Sequence, residues 1–319
     1  MAGDISLVVG NGFSLSFNHF FNPKGFTNTQ EPLSWNILTP GKDSPLIDDL
    51  CNFKEFSLAR TNESDFDVFK KIVDAHRAEA SNEKIKKARL ECRHYLTLAF
   101  SRYSQVQNKL LKDSWSWYKW ISAHRYRILC ASSFNYDLLL ENIFRKLRIQ
   151  YSDGTEPMQN RNTILHKPHG SCCYDMHPGI ISVADRTYPL KYYIDENDAP
   201  FISLKHANLM TFRVMPLCVI PNGNNIYKTY HSMMHHNQRL NDKLRLSSYC
   251  VFIGISYMPC DREEINNMLS NLKKDCLVII ANPNPCNDFI KKVESFGLVY
   301  EKWQSFNGPV DENGKLRLI

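Results

Sequence analysis

Five near-continuous apolar runs punctuate this chain: Ile5-Ser6-Leu7-Val8-Val9, Tyr126-Arg127-Ile128-Leu129-Cys130-Ala131-Ser132, Pro216-Leu217-Cys218-Val219-Ile220, Tyr249-Cys250-Val251-Phe252-Ile253 and Cys276-Leu277-Val278-Ile279-Ile280. All are of strand length, and none alternates apolar with polar residues as a half-exposed strand does. Such runs are expected where helices cover both faces of a parallel sheet. Helical patterns follow at Tyr136 to Lys146, Thr229 to Leu246, Arg262 to Leu272 and Asn287 to Phe296. Strand and helix therefore alternate.

That rhythm predicts an α/β fold, a Rossmann-like doubly wound parallel sheet. Two stretches break it. Residues 21–124 open Pro-, Gly- and Asn-rich and turn strongly helical from Ser64 onward, which reads as a helical insertion between the first two strands. Residues 1–20 and 125–319 then form the sheet domain. Cys172 to Met215, holding Pro178, Pro189 and Pro200 with no clear period, reads as a small irregular lobe. The run Trp115-Ser116-Trp117-Tyr118-Lys119-Trp120 could be a base-stacking platform, but aromatic packing of the insertion on the sheet is the simpler expectation.

Composition narrows the class. At 319 residues the chain can bury a full core, and it has no low-complexity tract. The net charge of +6 is mild, and its basic clusters, Lys84 to Arg89 and Arg145 to Arg148, fall in helical patterns. Solvated helix faces explain them, and nucleic acid is expected only as an indirect partner. No apolar run reaches 18 residues, so no membrane partner is expected. The N-terminus lacks a basic-then-apolar leader, which points to a cytoplasmic protein. Ten cysteines are scattered without a C-x-x-C pair, which suggests neither a disulfide frame nor a zinc ribbon.

The candidate chemistry lies at the ends of the apolar runs, where ligands bind in such sheets. Gly10-Asn11-Gly12-Phe13-Ser14 follows the first run, and its glycines allow backbone N–H groups to approach a phosphate. The full G-x-G-x-x-G fingerprint is absent, and a plain strand-to-helix turn explains the same residues. Ser133-Phe134-Asn135-Tyr136-Asp137 follows the second run, where Asn135 and Asp137 suit either a ligand or a helix cap. His169-Gly170-Ser171 offers an imidazole that can serve as a base. Gly254-Ile255-Ser256 and Asn282 end later strands, at the height of a ribose or adenine.

Taken together these motifs resemble the sirtuin-like family of NAD-consuming domains, in particular its bacterial NAD-cleaving branch. Gly10, Gly12 and Ser14, then Asn135 and Asp137, His169 and Gly170, Gly254 and Ser256, and finally Asn282 occur in the family's order. The resemblance implies an NAD glycohydrolase that releases nicotinamide and ADP-ribose, in the setting of anti-phage defence by NAD depletion. It implies catalytic roles for Asn135, Asp137 and His169. It also implies a cofactor-binding set of Gly10, Asn11, Gly12, Phe13, Ser14, Ser133, Ser171, Gly254, Ser256 and Asn282. A homo-oligomer and a separate P-loop ATPase of the HerA type, or another defence component, are the partners it implies. The alternative is a non-catalytic NAD or ADP-ribose sensor, or an assembly subunit.

Two departures refine this expectation. Deacylating members carry a four-cysteine zinc module after the His-Gly pair, and no such spacing occurs here. Their first loop also continues differently from Leu15-Ser16-Phe17-Asn18. Hydrolysis of NAD is therefore expected rather than protein deacylation, with no metal. His231, His235 and His236 have helical spacing, but Ser232 stands where a metalloprotease helix carries Glu, so packing or surface histidines are expected.

Overall fold

A computed structural model describes residues 4–59, 63–155, 163–176, 201–220 and 231–319. Its centre is a seven-stranded parallel sheet built from β1 (Ile5–Val9), β2 (Ile128–Ser133), β3 (Tyr151–Ser152), β4 (Thr163–His166), β7 (Tyr249–Ile253), β8 (Leu277–Ala281) and β9 (Val299–Trp303). The spatial order is β3-β4-β2-β1-β7-β8-β9. The chain fills one side of β1 first, with β4 inserted between β2 and the edge strand β3, and then returns to build the other, so the order reverses between β1 and β7. Two further strands, β5 (Tyr174–Met176) and β6 (Phe201–Ser203), pair antiparallel in a separate ribbon.

The apolar runs are explained by what covers them. Ile5, Leu7 and Val9 face a layer of α1 (Asn11–Phe21), α6 (Ser116–Ala123) and α7 (Leu139–Lys146). Val8, Cys250 and Phe252 face α8 (His231–Leu244), α9 (Arg262–Ser270) and α10 (Asn287–Ser295). With three helices on each face, both pleats of the central strands are dry, and alternation disappears.

Between β1 and β2 lie α2 (Leu46–Asp49), α3 (Cys51–Leu58), α4 (Asp65–Ala78) and α5 (Glu83–Leu110). Ser64 caps α4 in a reciprocal box with Asp67, and Asn82 caps α5. These helices bury a third cluster around Phe53, Phe69, Tyr95 and Tyr103. The tryptophan run is core. Trp115 and Trp117 close on Phe13 at 5.1 and 6.1 Å, and Trp120 meets Trp303 at 6.1 Å.

Several expectations are corrected. Pro216 to Ile220 is no sheet strand: Cys218 makes an isolated bridge to Gly170. β3, β4 and β9 join the sheet instead. β2 starts at Ile128 rather than Tyr126, and α7 starts at Leu139 rather than Tyr136. Pro178, Pro189 and Pro200 lie outside the described residues, as do Thr229 and the His231 side chain, and with the latter the His231–His235 pair. Among the described residues no helix is long and apolar enough to cross a membrane.

Candidate functional site

The sheet brings the sequence motifs to one rim. β2 and β4 pair with Cys130 opposite Ile164 and Ser132 opposite His166, so the segments holding Asn135 and His169 leave adjacent strands in the same direction. β1 pairs with β2 up to Val9–Ser133, which sets Gly10 to Ser14 beside them.

Asn135, Ser14 and Asp137 form one hydrogen-bonded cluster. The Asn135 amide donates to Gly10 O at 2.9 Å and to Ser14 Oγ at 3.1 Å. Ser14 Oγ then donates to Asp137 Oδ2 at 2.6 Å. Asp137 Oδ1 accepts the Leu139 N–H at 3.0 Å, so the same carboxylate also caps α7. Capping and site chemistry thus share one side chain.

His169 stands at the edge of this cluster. Phe134 and Tyr136, on either side of Asn135 in sequence, bring their ring centres to 5.3 and 6.5 Å from the imidazole. The Tyr136 hydroxyl donates to Val219 O, and Val219 N donates to His169 O at 2.9 Å. The imidazole Nε2 lies 3.4 Å from Asp261 Oδ1. Asn135 is 9% exposed and His169 6%.

The glycine turn is pinned to the β7 turn by its own backbone. Gly10 N donates to Ile253 O, Gly12 N to Gly254 O and Phe13 N to Gly10 O, all within 2.9–3.0 Å. Those three amides are committed. A Cβ on Gly12 would sit 2.5 Å from Gly254 Cα, and one on Gly10 2.8 Å from Gly254 O. The glycines at 10, 12 and 254 therefore let the β1 and β7 turns touch at the reversal point. The Phe13 ring is fully buried against the tryptophans.

The remaining expected residues are spread along the rim. The Asn11 side chain accepts from Thr29 Oγ1 at 2.6 Å, facing the insertion. Ser133 is buried, Ser171 contacts Cys173 Sγ at 3.3 Å, and Ser256 is exposed. Asn282 holds the β7 turn by donating to Ile255 O at 3.0 Å. The structure thus joins Ser14, Asn135 and Asp137 in one bonded cluster, sets His169 near the rings that flank Asn135, and turns Asn11 to the insertion and Phe13 to the tryptophans.

Two features escape a sequence reading. Lys167 is buried and donates 2.7 Å bonds to Glu141 Oε1 and to Asp137 O, tying an ion pair to the cluster. Burial opposes the Lys167 charge, but the Glu141 carboxylate outweighs it and holds the amine above its usual range. Glu141 also lines a cavity of about 330 Å3 with Arg145, Tyr151, Asp153, Lys205 and His206, away from His169. Little in the sequence signals the pair, since Lys167 lies in the polar run His166-Lys167-Pro168-His169 at the end of β4.

Among the described residues no group of three or more His, Cys, Asp or Glu is placed to hold a metal ion. No family model matches the chain, and no curated protein matches it.

Proposed function

We propose that the protein is an NAD glycohydrolase whose reacting centre is the Asn135–Ser14–Asp137 cluster with His169 beside it. The observation that carries this reading is the convergence of an amide, a hydroxyl, a carboxylate and an imidazole on the carboxyl rim of a doubly wound sheet. Nicotinamide in NAD is already a cationic leaving group. Its bond to ribose C1′ breaks with the electron pair going to nicotinamide, water bonds to C1′, and the water proton is released.

Each residue has a task in that reaction. Asn135, oriented from two sides, holds the nicotinamide ribose and the attacking water. The Asp137 carboxylate favours the positive charge that develops on the ribose, although it shares that charge with Ser14 and the α7 terminus. His169 takes the proton, which is worth about 10²–10⁴ in rate. The burial of the cluster fits an enzyme that must be held closed until triggered, as destruction of NAD in anti-phage defence requires. A homo-oligomer, or a separate P-loop ATPase, would supply the trigger.

A sensor reading has its own support. The insertion touches the site through Tyr103 of α5, whose hydroxyl donates to Asn18 in α1, and through Ser104, whose Oγ accepts the Leu138 N–H. Ligand at the rim would move the insertion without being cleaved.

Incubation of purified protein with NAD separates the two. Release of nicotinamide and ADP-ribose, abolished in Asn135→Ala and His169→Ala, is the expected result. Turnover unchanged in both variants would remove the site assignment, and tight binding of intact NAD would favour the sensor.

A further inference from the structure

We propose that Asp261 is a positioning residue for His169, an assignment that rests on the reading of His169 as the base. The loop from Gly254 to Asp261 leaves β7, yet its end meets a residue that follows β4. β7 and β4 are separated by β1 and β2, three strand spacings or about 14 Å. The loop therefore arches over the rim, across the point where the strand order reverses, to deliver one carboxylate.

The details of that delivery argue against a helix cap. Asp261 occupies the N-cap position of α9, but its side chain makes no capping hydrogen bond. It faces the His169 imidazole instead, and both side chains are largely buried, at 8% and 15% exposure. The Cys260 thiol donates to the same Oδ1 at 3.3 Å. Burial, reinforced by the Asp261 charge, pushes that thiol up to about 12, so it stays protonated and remains a donor.

The arch itself is stiff. Tyr257 holds a left-handed backbone at φ 54°, which a bulky residue keeps only when its surroundings enforce it. Its hydroxyl donates to Asn266 at 2.8 Å, Arg262 donates to its carbonyl at 3.3 Å, and the guanidinium lies 5.0 Å from its ring centre. Asn282 fastens the start of the loop at Ile255 O.

At 3.4 Å the Asp261 carboxylate stands just beyond the usual N–H···O distance, so it acts on the ring by charge, favouring the proton on Nε2 and leaving Nδ1 as the proton acceptor. With Phe134 edge-on to the imidazole at 5.3 Å and Asp261 at Nε2, the carboxylate sets which nitrogen faces the reacting water.

The test is proton NMR of the full chain, with NAD turnover measured alongside. The wild type should show a slowly exchanging, downfield imidazole N–H that disappears in both His169→Ala and Asp261→Ala. Asp261→Ala should lower kcat about 10–100-fold, as loss of an orienting partner does, with KM within about twofold. Asp261→Glu should restore part of both signals, and unchanged circular dichroism confirms that each variant folds. Persistence of the resonance in Asp261→Ala overturns the assignment, as does its absence from the wild type or an unchanged kcat. Raised turnover also overturns it, since the contact would then be a latch holding His169 from substrate. A wild type that shows the resonance while binding NAD tightly and leaving it intact would favour the sensor over the glycohydrolase and leave the Asp261–His169 pairing standing.

Discussion

Ser14 gives its hydroxyl proton to Asp137 across 2.6 Å, joining the first turn of α1 to the loop that follows β2. One short bond thus couples two motifs that are distant in sequence. Ser14→Ala leaves a buried carboxylate one donor short and frees one of the two groups that orient Asn135. The expected cost is about 1.5–3 kcal/mol in urea unfolding. NAD turnover should fall further than the loss of folded protein explains.

The contact between the β1 and β7 turns makes a second prediction. Gly12→Ala forces backbone against backbone, where neither side can rotate away, and should cost about 3 kcal/mol, the top of the usual overpacking range. Gly41→Ala is the comparison: its methyl meets nothing within 4 Å, so only the left-handed φ of +77° costs, about 1–2 kcal/mol. A Gly12→Ala protein as stable as wild type would show that the turns do not meet.

How much of this was legible in the sequence depends on burial. β1, β7 and β8 announce themselves because both their faces are covered. β9 does not, because Glu301 and Lys302 face solvent on an edge strand and break the apolar run. Pro216 to Ile220 has the composition of a strand but, among the described residues, makes only an isolated bridge at Gly170, so apolarity there reflects packing in the insertion's core. Asn135, Asp137 and His169 could be named individually. That Ser14 bonds between Asn135 and Asp137 could not, because such pairing is set by the sheet order. Asp261 was hidden for a related reason, since an acid at a helix start is first read as a cap.

The buried Lys167–Glu141 pair should behave as a unit. Lys167→Met removes the ammonium 2.7 Å from Glu141, leaves that carboxylate buried and unpaired, and should cost about 3–5 kcal/mol. Lys167→Met combined with Glu141→Leu should recover a large part of that loss, because no unpaired charge remains. Urea unfolding of the single and double variants measures the recovery, and additive losses would deny the coupling.

Acid sensitivity follows from His94, on α5. Burial, with the Arg93 and Arg213 charges nearby, lowers its pKa to about 3 from an ordinary 6.5. Between those values the unfolded chain holds a proton that the folded chain refuses, so stability falls as pH drops below 6.5. At about pH 4.5 this group alone costs about 2–3 kcal/mol. His94→Phe should flatten that part of the stability–pH curve, and an unaltered slope would assign the acid loss to other groups.

The central claim is that one rim site holds the nicotinamide end of NAD. A crystal structure of the His169→Ala protein with NAD tests it most directly. The account predicts the nicotinamide ribose within hydrogen-bond distance of Asn135, with the dinucleotide lying under the Gly254 to Asp261 arch. A dinucleotide seated instead in the cavity between Glu141 and Lys205, with the Asn135–Ser14–Asp137 cluster unchanged and dry, would contradict it.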